Sequence, residues 1–544
     1  MGVALAVALA SVLAGVLAAW LGRSRPALLG PVRTFALVTS VAVGVAQLLP
    51  DALAALGLAA LGAFVAGSIL PVVFEKLATT RRDIVGLEIG FAGLLLHKIG
   101  DGLALGLYTA PAHEGHSHID VLIGIGGHTV PIVALVVLLY ADRRNLRSGI
   151  VRAALLGGAA VVGVLLAGAA PPAIVERWEP WITAAVAGML LHVVFHDWRT
   201  VRERPSAGVR RAGDLVALAL GVVLLLMGGH AHHDDGVSVR GVAGAAFVDL
   251  VLQTAPALLF GLAAGAAAQA LGSRIAQSLR ARGAGTIVAA ALALAAPQLA
   301  LETVALTVRF LGWPFALLRV ACAAVGALLA ALVLTRLARG RAPSSGAITA
   351  LARGDEDAAA REWPWPARWL AHFEALLQHV APWTLAALVA AAFVHAVLSA
   401  DALVPARAWG VDVVAVSAIA VLGYVCAAAA TPLGAVLIAK GLSPGAVLAG
   451  LVLGPATNAA TVGFLRGACG TRAALASLGV MVAAVWLVAL GVNATGLPIA
   501  ALEIAAAPQS HGWVVWTATA VLAAFVLRGV WRDGLRGWLG GSAA

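Results

Sequence analysis

Long apolar stretches follow one another from the start of this sequence to its end, and they restrict its fold more than any other feature. Residues 121–140 form one such stretch, and others are 36–49 continuing into 50–61, 215–227 and 514–527. About twenty apolar residues in a helix cross the ~30 Å hydrocarbon core of a bilayer. The stretches are continuous and do not alternate with a period of two, which excludes the strands of a membrane barrel. The sequence therefore predicts an all-α polytopic integral membrane protein.

Composition agrees with this prediction. Of the 544 residues, 61% are hydrophobic and 11% are charged, whereas soluble domains carry about 25% charged residues. Only three of the 36 basic residues are lysines. That bias is typical of GC-rich bacterial genes, so we expect a multi-pass protein of a bacterial cytoplasmic membrane.

The chain has a net charge of +10, and the basic residues of its first 230 residues are concentrated in alternate loops. The basic residues of these loops are Arg23, Arg25, Arg33, Lys76, Arg81, Arg82, Arg143, Arg144, Arg147, Arg152, Arg199, Arg202, Arg204, Arg210 and Arg211. An excess of basic residues in every second loop marks the cytoplasmic side. The pattern predicts eight helices in this region with both ends outside, and it requires no nucleic-acid partner.

Polar interruptions divide the chain. The His-rich stretch 229–236 separates the first region from a second apolar region, and a long polar stretch begins after Arg339. Such breaks mark loops and linkers. The predicted parts are a membrane domain at 1–230, an external seam at 231–242, a first repeat at 243–338, a cytoplasmic linker at 339–370, a second repeat at 371–535 and a tail at 536–544.

The second region contains an internal repeat. The spacing from Arg282 to Pro297 equals that from Lys440 to Pro455, and a Thr-Val pair follows each proline after six residues. Paired segments interrupted by Gly and Pro in two halves indicate the midplane site of a transporter. The alternative is that Gly and Pro only kink packed helices, in which both are common. The first copy is shorter and has no counterpart of 424–432.

A cluster of ionisable residues interrupts the apolar stretch around residue 100. His97 and Asp101 are four residues apart and share one helix face, with Lys98 between them. Ionisable groups inside membrane helices are costly and usually functional. An imidazole and a carboxylate form half of a site for a divalent metal ion. The alternative is an internal ion pair between Lys98 and Asp101 with His97 as a buried donor.

These residues resemble the signatures of the ZIP family of zinc and iron transporters. The similar strings are 97–106, 127–131 and 47–51, and the likeness extends over residues 1–230. The resemblance implies a metal site formed by His97, Asp101 and His128, with zinc as the first candidate. Lys98 stands where the family has an asparagine, so we expect it to act as a fixed cation in the substrate pathway and to limit the site to one ion.

Two His-rich loops could bind metal ions and deliver them to such a site. One contains His113, His116 and His118, and the other contains His230, His232 and His233. Histidine-rich tracts bind zinc, copper or nickel, although they are also often only solvated.

The strongest motif of the second region is the run from Lys440 to Asn458. It combines a lysine, a Gly-Pro break and a Thr-Asn pair, which indicates a discontinuous helix beside a polar cavity. It resembles a motif of the bacterial predicted-permease family that includes an organoarsenical exporter, and the likeness covers residues 243–535. The resemblance implies a substrate pathway lined by Cys426, Lys440, Pro455, Thr457, Asn458, Pro297, Gln298, Glu302 and Thr303.

The sequence therefore predicts a transporter that moves a divalent metal ion, a small solute or both. The alternative is a metal sensor without transport activity, in which the ZIP-like half regulates the permease. The motifs HExxH, GxSxG and the Walker loop are absent from the sequence, so we expect no enzyme activity and no cofactor apart from the metal ion. The expected partners are the lipid bilayer and the solute or metal ion, and a homodimer remains open.

Overall fold

The computed structural model confirms the all-α membrane architecture. The described residues are 2–24, 44, 48–57, 59–80, 84–107, 109, 119–143, 145–169, 171–200, 216, 219, 239–281, 299–337, 364–422, 426–457, 459–496 and 512–540. This part of the chain is 94% helical and holds no strand. Within it, eight helices are long and apolar enough to cross a membrane.

The chain divides into two compact units. Unit 1 comprises Met1–Gly241 and Val530–Gly540, and unit 2 comprises Val242–Gly529 and Gly541–Ala544.

The described helices of unit 1 pack through glycines. They are α1 (Gly2–Ser24), α2 (Leu49–Leu56), α3 (Ala59–Thr80), α4 (Ile84–Leu107), α5 (Ile119–Arg143), α6 (Leu146–Ala169) and α7 (Pro172–Thr200). Helix α4 packs on α6, and a Cβ added at Gly102 would lie 2.0 Å from the carbonyl oxygen of Ala160. At Gly163 a Cβ would lie 2.2 Å from the carbonyl oxygen of Ile99. Small residues allow such close backbone approach between membrane helices. Gly102, which the sequence analysis placed in a ZIP-like signature, therefore serves helix packing.

The ZIP-like string 47–51 overlaps the start of α2, which runs from Leu49 to Leu56. Pro50 lies in its first turn, where the missing N–H costs no hydrogen bond. The break follows at Gly57, which has a φ of +57° that glycine adopts without steric cost.

The described helices of unit 2 comprise three long ones, a group of short ones and two further long ones. They are α8 (Val239–Ala281), α9 (Leu301–Leu337), α10 (Trp365–Val397), a 3-10 helix (Val404–Gly410), α11 (Val411–Leu422), α12 (Ala427–Ala439), α13 (Pro444–Ala456), α14 (Ala459–Cys469), α15 (Thr471–Thr495) and α16 (Trp513–Gly540). The first residues of α8, up to Gly241, and the last residues of α16, from Val530, belong to unit 1.

Helix α9 reverses direction within its length. Gly312 has a φ of 84° and a ψ of 166°, which are not helical values. On either side of it, Thr307 and Arg319 form a side-chain hydrogen bond of 2.7 Å. In a straight helix their Cα atoms would lie about 18 Å apart, which is beyond the reach of the two side chains. The stretch before Gly312 is therefore a short helix folded back on the long one that follows.

The same arrangement occurs again 158 residues later. Helix α14 has 11 residues, Gly470 has a φ of 87° and a ψ of 155°, and α15 has 25 residues. The interval from Gly312 to Gly470 equals that from Pro297 to Pro455. The backbone thus carries the periodicity that the sequence motifs indicate.

The second copy contains a hairpin of two short helices. Helices α12 and α13 have 13 residues each, or about 20 Å, which is shorter than the hydrocarbon core. After Ala456 the chain bends by 57° into α14. The discontinuous helix that the motif indicates is therefore present.

Candidate functional site

A buried arginine joins the two copies within unit 2. Arg319 on α9 is 1% exposed and is one of the largest fully buried side chains of the described residues. Its Nη1 donates to Thr307 Oγ1 at 2.7 Å and to Thr431 Oγ1 at 3.0 Å. Its Nη2 donates to the carbonyl oxygens of Ala427 at 3.2 Å and Leu451 at 3.5 Å. The guanidinium therefore connects both parts of α9 with both helices of the hairpin.

The two threonines are oriented as acceptors by their own helices. Thr307 Oγ1 donates to the carbonyl oxygen of Thr303 at 2.7 Å, and Thr431 Oγ1 donates to that of Ala427 at 3.0 Å. Each hydroxyl hydrogen is used within the helix, so each lone pair can face Arg319. All four of these contacts are to neutral oxygens, which solvate the guanidinium.

Two of the predicted pathway residues lie near each other, and one of them, Cys426, also lies near this arginine. Cys426 is the N-cap of α12, and its thiol is within electrostatic range of Arg319 and of Glu302. Glu302, in the first turn of α9, is 6% exposed. It approaches α8 at Gly261, where an added Cβ would lie 2.3 Å from the Cα of Glu302. Glycine is required there because a side chain would separate the two helices.

The sequence analysis missed Arg319, although a signal was present. Arg319 lies alone in the apolar run 315–335, and a lone ionisable residue in such a run is a functional-site hypothesis by default. A guanidinium keeps its charge when buried. The arrangement therefore places a positive charge inside the membrane, where it attracts small anions.

Lys440 lies at the tip of the α12–α13 hairpin, in a turn whose backbone is fully engaged. The N–H of Leu403 donates to the carbonyl oxygen of Lys440 at 3.0 Å. Arg407 donates from Nε to the carbonyl oxygen of Gly441 at 2.5 Å and from Nη2 to that of Leu442 at 3.3 Å. Gly441 has a φ of +98°, which a side chain would strain. The Lys-Gly part of the motif therefore builds a rigid turn.

The serine of the motif caps α13. Ser443 Oγ accepts from the N–H of Ala446 at 3.2 Å and from Asn493 Nδ2 at 3.0 Å. The N–H of Ser443 donates to Asp412 Oδ2 at 3.0 Å. Asn493 Oδ1 accepts from the N–H of Gly445 at 2.8 Å. Side chains from α11 and α15 thus anchor the hairpin tip.

The remaining predicted residues of the pathway have separate positions. Pro455 lies in the last turn of α13, and Thr457 is buried, with its hydroxyl donating to the carbonyl oxygen of Leu453 at 2.8 Å. Thr303 is buried and accepts the hydrogen bond from Thr307. Three predicted residues lie outside the described residues, namely Pro297, Gln298 and Asn458.

In unit 1 the predicted cluster forms a buried ion pair. Lys98 and Asp101 are each 1% exposed, and Lys98 Nζ donates to Asp101 Oδ2. Lys98 Nζ also donates to Thr129 Oγ1 on α5 at 2.6 Å. His97 Nε2 lies 3.6 Å from the same carboxylate oxygen of Asp101. The geometry matches the ion-pair alternative of the sequence analysis.

This pairing bears on the predicted metal site. A divalent cation between His97 and Asp101 would lie beside the ammonium of Lys98, which repels it. The described residues contain no group of three His, Cys, Asp or Glu side chains that could hold a metal ion. His128 lies in α5, but its side chain is outside the described part. A site formed by His97, Asp101 and His128 stays a prediction.

Comparison with known proteins supports the permease prediction for the second region. The model of a family described as predicted permease, ArsP_1, matches residues 257–494. No curated protein and no solved structure gave a significant match. The matched segment includes Arg319, the α12–α13 hairpin and the non-helical glycines Gly312 and Gly470. Together with the apolar helices it supports a multi-pass membrane transporter. The comparisons give no support to a ZIP-like unit 1, which stays a prediction.

Proposed function

We propose that unit 2 is a permease for small oxyanions and that Arg319 is the centre of its solute site. The single observation that carries this proposal is the fully buried guanidinium surrounded by hydroxyl and carbonyl oxygens. A charged residue at the centre of a membrane helix costs at least about 2.5 kcal/mol, and residues of this kind usually have a function. A positive charge favours an anion over a divalent cation by simple electrostatics.

The depth of Arg319 agrees with a transport site. Trp313 follows the reversal at Gly312 and is 65% exposed, as is typical of the aromatic belt at the membrane interface. Arg319 lies six residues beyond Trp313, or about 9 Å further along the helix. The guanidinium would then lie within the hydrocarbon region, where the low dielectric strengthens its hold on an anion.

Transport by purified protein in liposomes tests the proposal. The probes are inorganic phosphate, sulfate and methylphosphonate, with Zn²⁺ as the cation. We expect uptake of at least one anion, and Arg319→Gln should lower it about 100-fold, since charge-assisted hydrogen bonds contribute about 1.5–3 kcal/mol each. The matched control is Arg528→Gln, because Arg528 is half exposed and pairs with Glu374 at 3.0 Å. Undiminished anion uptake by Arg319→Gln contradicts the proposal.

A divalent metal ion is the second candidate substrate, and unit 1 would bind it. The observation in its favour is the proximity of His97 to the buried carboxylate of Asp101. The Zn²⁺ arm of the same assay tests it, with His97→Ala as the variant. Binding of Zn²⁺ without uptake would instead favour the metal-sensor alternative. We also propose, from the arginine-rich loops alone, that the protein lies in a bacterial cytoplasmic membrane.

A further inference from the structure

A second polar cluster in unit 2 centres on His395. This residue lies in the last turn of α10. Among the described residues, its Nδ1 is buried and has no hydrogen-bond partner. Buried polar atoms are nearly always satisfied, so we expect Nδ1 to bind a water molecule or a proton.

Two buried charged groups lie within electrostatic range of this imidazole. They are Asp249 on α8, which is 4% exposed, and Lys440 at the end of α12, which is 8% exposed. Burial and Lys440 oppose a protonated imidazole and Asp249 stabilises it, so the protonation of His395 depends on how these helices are arranged.

Hydrogen bonds extend the cluster to the surface of unit 2. Gln253 Nε2 donates to Asp249 Oδ2 at 2.7 Å, and Arg309 Nη2 donates to Gln253 Oε1 at 3.0 Å. Arg309 is exposed. It shares the short first part of α9 with Glu302, which lies near Cys426 at the candidate solute site. The same short helix thus contacts both clusters.

We propose that His395, together with Asp249, is the proton-binding site that couples solute movement to a proton gradient. The inference rests on the proposed permease function. Histidine changes its charge near physiological pH, and ionisable residues inside membrane proteins often form proton relays. In each cycle one proton from the water on one side binds His395 and is released to the other side. Because α12 and α9 carry groups of both clusters, a change in one cluster alters the other.

The test compares two modes of transport in proteoliposomes, with the best of the three anion probes. One mode is accumulation driven by an imposed pH gradient, and the other is exchange of labelled for unlabelled anion at equal pH. We expect His395→Gln and Asp249→Asn to lose the gradient-driven accumulation and to keep exchange. The control is His379→Gln, since His379 is on the same helix and exposed. It should keep both modes.

The outcomes separate this inference from the proposed function. Gradient-driven accumulation that persists in His395→Gln overturns the coupling role, and so does the loss of exchange in both variants. Exchange without any response to pH in the unmutated protein also overturns it, while the permease function stands. Absence of both modes in the unmutated protein contradicts the permease function itself.

Discussion

Two buried cations, one in each unit, are held in opposite ways. Lys98 in unit 1 and Arg319 in unit 2 are each 1% exposed. The ammonium of Lys98 faces the carboxylate of Asp101, so that much of its charge is neutralised by the protein. In the described contacts, the guanidinium of Arg319 donates four hydrogen bonds to hydroxyl and carbonyl oxygens. The first arrangement is a closed ion pair, and the second is a set of hydrogen bonds to neutral oxygens.

This difference follows from what burial costs. A buried ion pair offsets the desolvation of two charges only when both partners are present, and it seldom adds stability over an apolar pair. Hydrogen bonds to neutral oxygens offset part of the desolvation of a buried cation. We propose that a solute anion adds its opposite charge to these bonds during transport. Unit 1 should therefore respond to mutation through its stability, and unit 2 through its transport.

The largest expected effect is the loss of one partner of the closed pair. Asp101→Leu leaves Lys98 buried without its carboxylate, and we expect a loss of about 3–5 kcal/mol of stability. The double variant Lys98→Met/Asp101→Leu should recover most of this loss, because both charges are removed together. Thermal unfolding of the purified protein in detergent measures the difference.

A surface pair of the same unit is the control. Arg152 and Glu88 form an ion pair of 2.7 Å that is partly exposed, and Glu88→Gln should cost no more than about 1 kcal/mol. Equal shifts for Asp101→Leu and Glu88→Gln would mean that the buried pair is not a closed unit.

The sequence predicted the helical membrane class and indicated an internal repeat. Continuous apolar stretches determine helices in a membrane, and this part of the prediction is confirmed. The spacing of Pro297 and Pro455 indicated the repeat that recurs in the backbone at Gly312 and Gly470. Such signals can be read from the sequence because proline and glycine affect the backbone conformation of the turn in which they lie.

The centre of the site could not be predicted from such local signals. Arg319 meets Thr431 and Leu451 only because α9 reverses at Gly312, and no spacing along the chain reveals that contact. The structural role of Lys440 was also not visible in its motif. The motif indicated a pathway residue, and the turn around Lys440 is in addition fixed by hydrogen bonds from the side chain of Arg407 and the backbone N–H of Leu403. Whether Lys440 also contacts solute stays a prediction.

A smaller effect is expected when the closed pair is opened to metal. Lys98→Asn removes the ammonium and supplies an amide oxygen, so that a single divalent ion could bind His97, Asp101 and His128. We expect Zn²⁺ affinity to rise about thirtyfold, or about 2 kcal/mol. Isothermal titration should be carried out on a background in which the histidines of both His-rich loops are serines. In that background His97→Ala should abolish binding at the site. Two bound ions without the Lys98 change would contradict the fixed cation, and no binding with the change would contradict the metal site.

The smallest expected effect concerns the neutral oxygens around Arg319. Thr431→Val keeps the shape of the side chain but removes the acceptor that lies 3.0 Å from Nη1. One such hydrogen bond contributes about 1 kcal/mol, so the KM of the transported anion should change about fivefold. The control is Thr384→Val, because Thr384 is equally buried and its hydroxyl donates only to the carbonyl oxygen of Val380 in the described contacts. If the neutral oxygens position the guanidinium for an anion, Thr431→Val changes KM at unchanged unfolding temperature, while Thr384→Val changes neither. A loss of stability in Thr431→Val with an unchanged KM would show that Arg319 only joins helices, and the contrast with Lys98 would then disappear.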